Sequence, residues 1–310
     1  MISGAKVKRL LICTLFLAIV LFKGQLAFST TPLPPVAPSI VFAKACIVVD
    51  ENDAVLYARN SSVKLPPAST VKLVTAMVAL DRLDPAKKVI VSRSAKAVRS
   101  IKPRLQANEE LTVADLLHLA LMKSINSAAV ALAEEAAGSE DAFVALMNRK
   151  AEEIGACDTH FETASGLPKG KQYTTARDLT IILKKALTYP LIREIIGKKE
   201  WRITTTAGRE LYLENSDDLL WSRSNMVGGK TGFTNSARHC FVGAMDTDKG
   251  RIFTAVLGAS SRMGLWKSAE VLADLGKNPE LVVLFKEPPV RKYKHRVRRP
   301  RKSSAIRTDT

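Results

Sequence analysis

Strand-forming sequence stands at both ends of the body of this chain and helix-forming sequence fills its middle, an order that excludes most folds. Residues 40–58, IVFAKACIVVDENDAVLYA, read as two strands about the polar turn Asp50-Glu51-Asn52-Asp53. Toward the other end, SARHCFVGAM and RIFTAVLGAS flank Asp246-Thr247-Asp248-Lys249-Gly250, a second hairpin, and GLWKSAEVLADLG follows as a helix. A strand pair near 201–213 turns at Ala207-Gly208, and KKVIVS is a short strand. Between these lie four helical segments. Thr112 with Asp115 three residues on starts the first, and Asn126 to Ala137 stops at Gly138. Glu140 to Ile154 stops at Gly155, and Thr175 with Asp178 opens a run to about Leu187. A further buried helix is expected over Ser69 to Leu83, after the Pro66-Pro67 break. Strands, helices, strands and a last helix imply an α/β fold. Both chain ends build one antiparallel sheet flanked by helices, with an inserted all-helical subdomain at about 94–195.

The ends of the chain carry a different message. Lys6, Lys8 and Arg9 precede an apolar run from Leu10 to Phe22, and Ala27-Phe28-Ser29 has the small-x-small cleavage pattern, so 1–29 read as an export signal. Thirteen apolar residues fall short of the roughly 20 a membrane span needs. A cleaved signal and, given Lys23, an uncleaved anchor both remain open. Cys13 follows Ile12, where a lipidation site needs a small residue, so no lipid anchor is expected. Export places the body, 30–285, in the periplasm or cell envelope. There the remaining Cys46, Cys157 and Cys240 are odd in number and widely spaced, so they read as small buried hydrophobes, without disulfides or a zinc site. Net charge is +17, yet 286–310 alone hold ten Lys/Arg against Glu287 and Asp309, or +8. This Pro-interrupted tail is not expected to fold by itself. It is either a solvated extension or a means of attraction to an anionic membrane or wall surface, each basic residue contributing about 1 kcal/mol near anionic lipid. Nucleic acid is not an expected partner of an exported protein.

The chemistry begins at PPASTVKLVTAM, where Ser69 and Lys72 stand three apart at the start of the apolar helix and so share a face. A lysine with the ordinary pKa of about 10.4 is neutral at pH 7 only about once in a few thousand, too seldom to serve as a base. Burial and a second nearby cation would both lower it. Spacing alone decides nothing, because Ser61-Ser62-Val63-Lys64 repeats it eight residues earlier, ahead of Leu65-Pro66-Pro67, where no helix can follow directly. A helix cap at Ser69 with Lys72 reaching to solvent would explain the second copy as well. Two further triplets favour catalysis. Ser124-Ile125-Asn126 falls in a loop between two helices, 55 residues on, and Lys230-Thr231-Gly232 begins a sheet segment 106 residues after that.

These three motifs in this order resemble the penicillin-binding serine DD-peptidases, whose set is SxxK, SxN and KTG. The likeness covers about 38–276, including ASGLPKGKQYTTARDL and GGKTGFTNSARHC, and is strongest to the low-molecular-mass D-alanyl-D-alanine carboxypeptidases and their endopeptidase relatives of peptidase family S11. It implies a β-lactamase/DD-peptidase-like fold and a D-alanyl-D-alanine carboxypeptidase of peptidoglycan stem peptides, with β-lactams as covalent inhibitors. By the same resemblance Ser69 is the nucleophile, Lys72 its general base and Ser124 a proton relay to the leaving amine. Asn126 would hold the substrate peptide, and Lys230 would supply the second cation. Thr231 and Arg262 would take a terminal carboxylate, and the N–H groups of Ser69 and Phe233, beside Gly232, would form the oxyanion hole. Ile125 stands where the family often has glycine, and a positive φ there would be costly. The C-terminal β-rich domain and amphipathic helix of many relatives are expected to be lacking.

An endopeptidase that cuts cross-links fits the same motifs. A β-lactamase is disfavoured, since Ile125 stands where class A enzymes usually have Asp and no E-x-x-L-N run is found. A non-catalytic wall-binding protein would have no use for Ser69, Lys72 and Lys230 together. No cofactor or metal is called for. His118, His160, His239 and His295 form no ligand cluster, and His118, on an apolar helix, is expected to be packed.

Overall fold

The computed structural model describes residues 41–277. The export segment 1–29 and the basic tail 286–310 lie outside the described residues. Strand β1 (Ala45–Asp50) turns into β2 (Val55–Arg59), and Asp50 makes the turn, its Oδ1 accepting from the backbone N–H groups of Asn52 at 2.9 Å and Ala54 at 2.8 Å. Strands β7 (Met226–Thr234), β8 (Arg238–Thr247) and β9 (Gly250–Ala259) complete one antiparallel sheet in the order β2-β1-β9-β8-β7. The two ends of the described chain therefore meet at β1 and β9. The run of apolar residues in β1 has a simple cause: both faces of the sheet are covered. Ala45, Ile47 and Val49 face the large core shared with the helical segment, whereas Cys46 and Val48 pack with Leu265, Ala269 and Leu272 of the last helix.

Four helices form the middle wall: α3 (Val113–Met122), α4 (Asn126–Ala137), α5 (Glu140–Glu153) and α6 (Ala176–Ala186). They are preceded by α1 (Lys72–Leu80) and the single-turn α2 (Arg93–Ala97), and followed by α7 (Pro190–Gly197), the short α8 (Leu219–Ser222) and the terminal α9 (Arg262–Lys277). The caps are those the sequence advertises: Thr112 and Asp115 form a reciprocal capping box, and Gly138 takes the left-handed conformation at φ 78°. Helix α7 announces itself only by Pro190 at its first turn, and the sequence reading omits it, as it omits α2 and α8. The pairs β3 (Lys88–Ile90) with β4 (Glu110–Thr112), and β5 (Glu200–Thr204) with β6 (Glu210–Glu214), are separate two-stranded ribbons.

Two expectations are corrected. The helix expected from Ser69 begins as a 3-10 turn over Ala68–Val71, and the α-helix starts only at Lys72. Of the three cysteines expected to be buried, Cys46 and Cys240 are, but Cys157 is exposed, because α5 ends just before Gly155 and the chain turns through solvent before the bridge between His160 and Tyr173. His118 is buried and stacked on Trp201, with ring centroids 4.7 Å apart.

Candidate active site

The early 3-10 turn is what brings the nucleophile and the amine together. In a 3-10 helix residues i and i+3 eclipse one another, and the Lys72 amine lies 2.9 Å from Ser69 Oγ. The turn is held from two sides. Ala68 sits at φ 50°, a left-handed conformation that costs a non-glycine residue about 1–2 kcal/mol. Gly166 approaches so closely that a Cβ there would lie 2.0 Å from the Ala68 carbonyl oxygen, and a Cβ on Gly232 of β7 would lie 2.8 Å from the Ser69 nitrogen. Neither position admits a side chain without moving Ser69. The sheet edge and the loop at 163–168 thus clamp the residue between them.

Lys72 is wholly buried, and its Nζ donates to Ser69 Oγ, to Asn126 Oδ1 at 2.7 Å and to the Ser165 carbonyl at 2.6 Å. Those are the three donors of an ammonium. Removing the proton shared with Ser69 leaves an amine that still donates to Asn126 and Ser165 while its lone pair faces the serine hydroxyl. Burial drives its pKa well below the ordinary lysine value, and the Lys230 cation adds to the same shift. Lys230, on the edge strand β7, is also buried, with Nζ donating to the Thr231 carbonyl at 2.9 Å. Burial pushes it down to about 7, against the opposing pull of Asp217. Asp217 is itself inaccessible and raised to about 7 by burial. One of its oxygens accepts from the Leu219 N–H at 3.0 Å, and the other has no partner among the described residues. Beside it, Ser216 Oγ lies 2.6 Å from Thr231 Oγ1.

The second motif avoids the cost that a positive φ at Ile125 would carry. The residue at positive φ is Ser124, at 62°, while Ile125 takes φ −66°. Ile125 is fully buried and donates its N–H to the Leu119 carbonyl at 3.0 Å, which fixes it in the core. The chain reversal between α3 and α4 is therefore absorbed one residue earlier. Among the described residues no hydrogen bond joins Ser124 to Ser69 or Lys72, although both flanks of its loop are pinned. Asn126, at the first position of α4, also donates through Nδ2 to the Arg99 carbonyl at 2.8 Å, and its backbone N–H reaches Ser100 Oγ at 3.0 Å.

Ser69, Lys72, Asn126 and Lys230 thus form one constellation, with Thr231 and Gly232 on the adjoining strand. Phe233, half exposed, leans on His239 with ring centroids 4.5 Å apart and, with Arg99, Asn126, Leu167 and Asn235, lines a cleft of about 300 Å³. Arg262 opens α9, where its guanidinium is already occupied by Asp218, Nη2 to Oδ1 at 2.7 Å. The sequence reading passed over the Ser165 carbonyl, Ser216, Asp217 and Asp218. A carbonyl leaves no trace in residue type. Asp217 could have been noticed only as the first of two acids before a leucine pair, thirteen residues before Lys230.

A serine and two buried lysines at the edge of an antiparallel sheet, roofed by helices, define the class of the penicillin-binding DD-peptidases. Penicillin-Binding Protein D2 from Listeria monocytogenes, solved in its ampicillin-bound form, has this fold with a TM-score of 0.68 at 32% identity, covering 76% of this chain and 97% of that one. Residues 32–261 match the model of the D-alanyl-D-alanine carboxypeptidase family, Peptidase S11, and the chain belongs to that family. It is 37% identical over 210 residues to the D-alanyl-D-alanine endopeptidase of Escherichia coli K12, covering 66% of this chain and 67% of that protein. It is 32% identical over 225 residues to the D-alanyl-D-alanine carboxypeptidase DacF of Bacillus subtilis 168; the match covers 71% of this chain and spans only 58% of that relative's length.

Proposed function

We propose that this chain is an exported serine-type D-alanyl-D-alanine carboxypeptidase that acts on peptidoglycan stem peptides through an ester on Ser69 and is inactivated by β-lactams at the same residue. The observation that carries this reading is the 2.9 Å contact between Ser69 Oγ and a fully buried Lys72 amine whose other two donors are already fixed. In the first step Ser69 Oγ attacks the carbonyl carbon of the penultimate D-alanine and its proton passes to neutral Lys72. The oxygen turns anionic against the N–H groups of Ser69 and Phe233. Collapse breaks the C–N bond, and the departing amine takes, by way of Ser124, the proton that Lys72 had gained, which leaves Lys72 neutral again. Water then attacks the ester, giving a proton to Lys72, and as the ester C–O bond breaks Lys72 returns that proton to Ser69 Oγ. Thr231 and Arg262 would receive the terminal carboxylate, for which Arg262 must exchange Asp218 for substrate.

A second reading, an endopeptidase that cuts cross-links, uses the same machinery. The pair of Arg262 with Asp218 is exposed, so opening it costs little and it leaves both substrates admissible, and two relatives are named D-alanyl-D-alanine endopeptidases. In either case 30–285 would be the catalytic domain, delivered by the signal at 1–29 to the periplasm or envelope and held near an anionic membrane or wall surface by the tail at 286–310. The test is incubation of the purified protein and a Ser69→Ala control with pentapeptide muropeptides and with cross-linked sacculi, products being identified by mass. Loss of one alanine from monomers, absent in the control, is the expected result. Conversion of dimers to monomers without that trimming selects the endopeptidase, and neither product from either substrate rejects both.

A further inference from the structure

The segment 92–108, SRSAKAVRSIKPRLQAN, contains Arg93, Lys96, Arg99, Lys102 and Arg104 and no acidic residue. All five side chains are exposed, and among the described residues none forms an ion pair. The neighbouring acids are engaged elsewhere. Glu109 pairs with Arg209 at 3.2 Å and accepts from the Gln106 N–H, Glu110 pairs with Lys88 at 2.8 Å, and Glu134 accepts from the hydroxyls of Ser92 and Ser94. Five like charges within twelve residues repel one another, so an ordinary solvated surface would interleave them with acids. Ala95 and Leu105, both buried, anchor the strap and hold the charges outward between them.

The strap is fastened to the reacting centre. Asn126, which holds Lys72, also holds the Arg99 carbonyl and Ser100. Arg99 and Ile101 form one wall of the cleft that Phe233 closes, and Arg99 is shared with an adjoining hollow of about 460 Å³ lined by Lys96, Arg104 and Ser127. Ser127 is 2% exposed, yet its Oγ has no hydrogen-bond partner among the described residues. A buried hydroxyl without a partner, opening on a hollow ringed by three free cations, is a donor set for an anion.

We infer that the hollow formed by Lys96, Arg99, Arg104 and Ser127 is an acyl-side subsite, which binds a carboxylate carried by the donor peptide N-terminal to the scissile bond. This rests on the acyl-transfer reading given above and extends it. The sheet edge, with Thr231, takes the leaving side, and the helical wall selects acidic peptides on the acyl side.

Two synthetic peptides ending in D-alanyl-D-alanine, identical except for a Glu or a Gln upstream of that pair, test it with the full chain. The wild type should show kcat/KM about tenfold higher for the Glu peptide at low salt, as charge-assisted hydrogen bonds allow, and the ratio should shrink as salt is raised. In Lys96→Gln/Arg104→Gln the ratio should fall close to one, and in Ser127→Ala by about threefold. A wild-type ratio near one at low salt overturns the inference, and this arm needs no variant to fold. A ratio that persists in the double variant also overturns it. So does a ratio near one combined with variant-sensitive binding to anionic phospholipid vesicles, which would make the strap a surface contact. If neither peptide is turned over and Ser69 is not acylated by penicillin, the acyl-transfer reading itself fails, a result distinct from all of these.

Discussion

Two stretches of this chain carry Ser-x-x-Lys, eight residues apart, and the structure gives them opposite fates. Lys64, at the end of Ser61-Ser62-Val63-Lys64, has a half-exposed side chain that pairs with Asp158 at 3.1 Å and lies 4.6 Å from the centre of the Tyr173 ring. The hydrogen bond to Asp158 raises its pKa. Lys72 has no exposure, no carboxylate partner among the described residues and a pKa driven far down by burial. Even the backbone differs in kind. The turn before Lys64 uses Asn60 at φ 52°, a residue type that tolerates the left-handed region, whereas the site uses Ala68 and Ser124, which do not. A motif spacing places two groups within reach; the dielectric around them and the strain accepted to hold them decide whether they do chemistry.

The widest separation between the two stretches should appear on labelling with a fluorescent penicillin. Ser69→Ala should abolish acylation, by about four orders of magnitude or more, and Lys72→Ala should slow it by about 10²–10⁴. Lys64→Ala, which removes only an exposed, solvent-screened pair, should label within twofold of wild type. Comparable losses in the two lysine variants would break the comparison. The next effect is on pH. Acylation needs neutral Lys72, so its rate should climb as pH rises, and Lys230→Ala, by removing the cation that helps hold Lys72 down, should move that limb to higher pH. A limb that stays in place would show that burial acts alone.

Much of this was legible beforehand, for reasons that particular residues make plain. The caps at Thr112, Gly138 and Thr175 are local events, and the hairpin at Asp50 to Asp53 is fixed by its own side chain, so sequence suffices for them. Lys72 stands out because a lysine is costly in an apolar helix, and Ser69, Asn126 and Lys230 because three motifs follow one another in the order of a known family. What escaped depends on the meeting of distant segments. The Ser165 carbonyl joins Lys72 across 93 residues, and Asp217 matters only because Ser216 touches Thr231 and so sets it against Lys230. Likewise, the sequence says that a positive φ at Ile125 would be costly but not which neighbour takes it instead. It falls on Ser124, because Ile125 is held in the core with its N–H on the Leu119 carbonyl, a tertiary fact.

A smaller effect sharpens the contrast in stability. Asp217 has its pKa raised to about 7 in the folded chain, from 3.8. Such a group contributes stability fully present below its unfolded pKa and lost as pH rises through its folded one. Asp217→Asn cannot ionise, so the Tm of wild type minus that of the variant should fall steadily between pH 4 and 6. The change should amount to several degrees, at about 2–4 °C per kcal/mol for a domain of this size. Lys64→Ala offers no such slope. A flat difference would mean that Lys230 compensates Asp217 in full.

The smallest expected effect separates strain from chemistry at one residue. Ser124→Ala and Ser124→Gly both delete the hydroxyl, so both should slow peptide turnover alike if that hydroxyl relays a proton, by about 10²-fold or more. They differ in what they do to φ 62°. Alanine keeps the Cβ and its conflict with the left-handed backbone, whereas glycine relieves it, a difference of about 1 kcal/mol after its greater freedom in the unfolded chain is counted. The glycine variant should therefore melt a few degrees above the alanine variant while being equally slow. Equal melting points would mean that the loop relaxes at no cost. A glycine variant faster than alanine would make the backbone strain itself, rather than the hydroxyl, the feature that positions Asn126 against Lys72. Asn60→Gly, ahead of Lys64, should bring no such relief and leave turnover unchanged, because asparagine already tolerates φ 52° and its Nδ2 donates to the Lys44 carbonyl at 2.9 Å, so removing the side chain there gives up a bond without releasing strain.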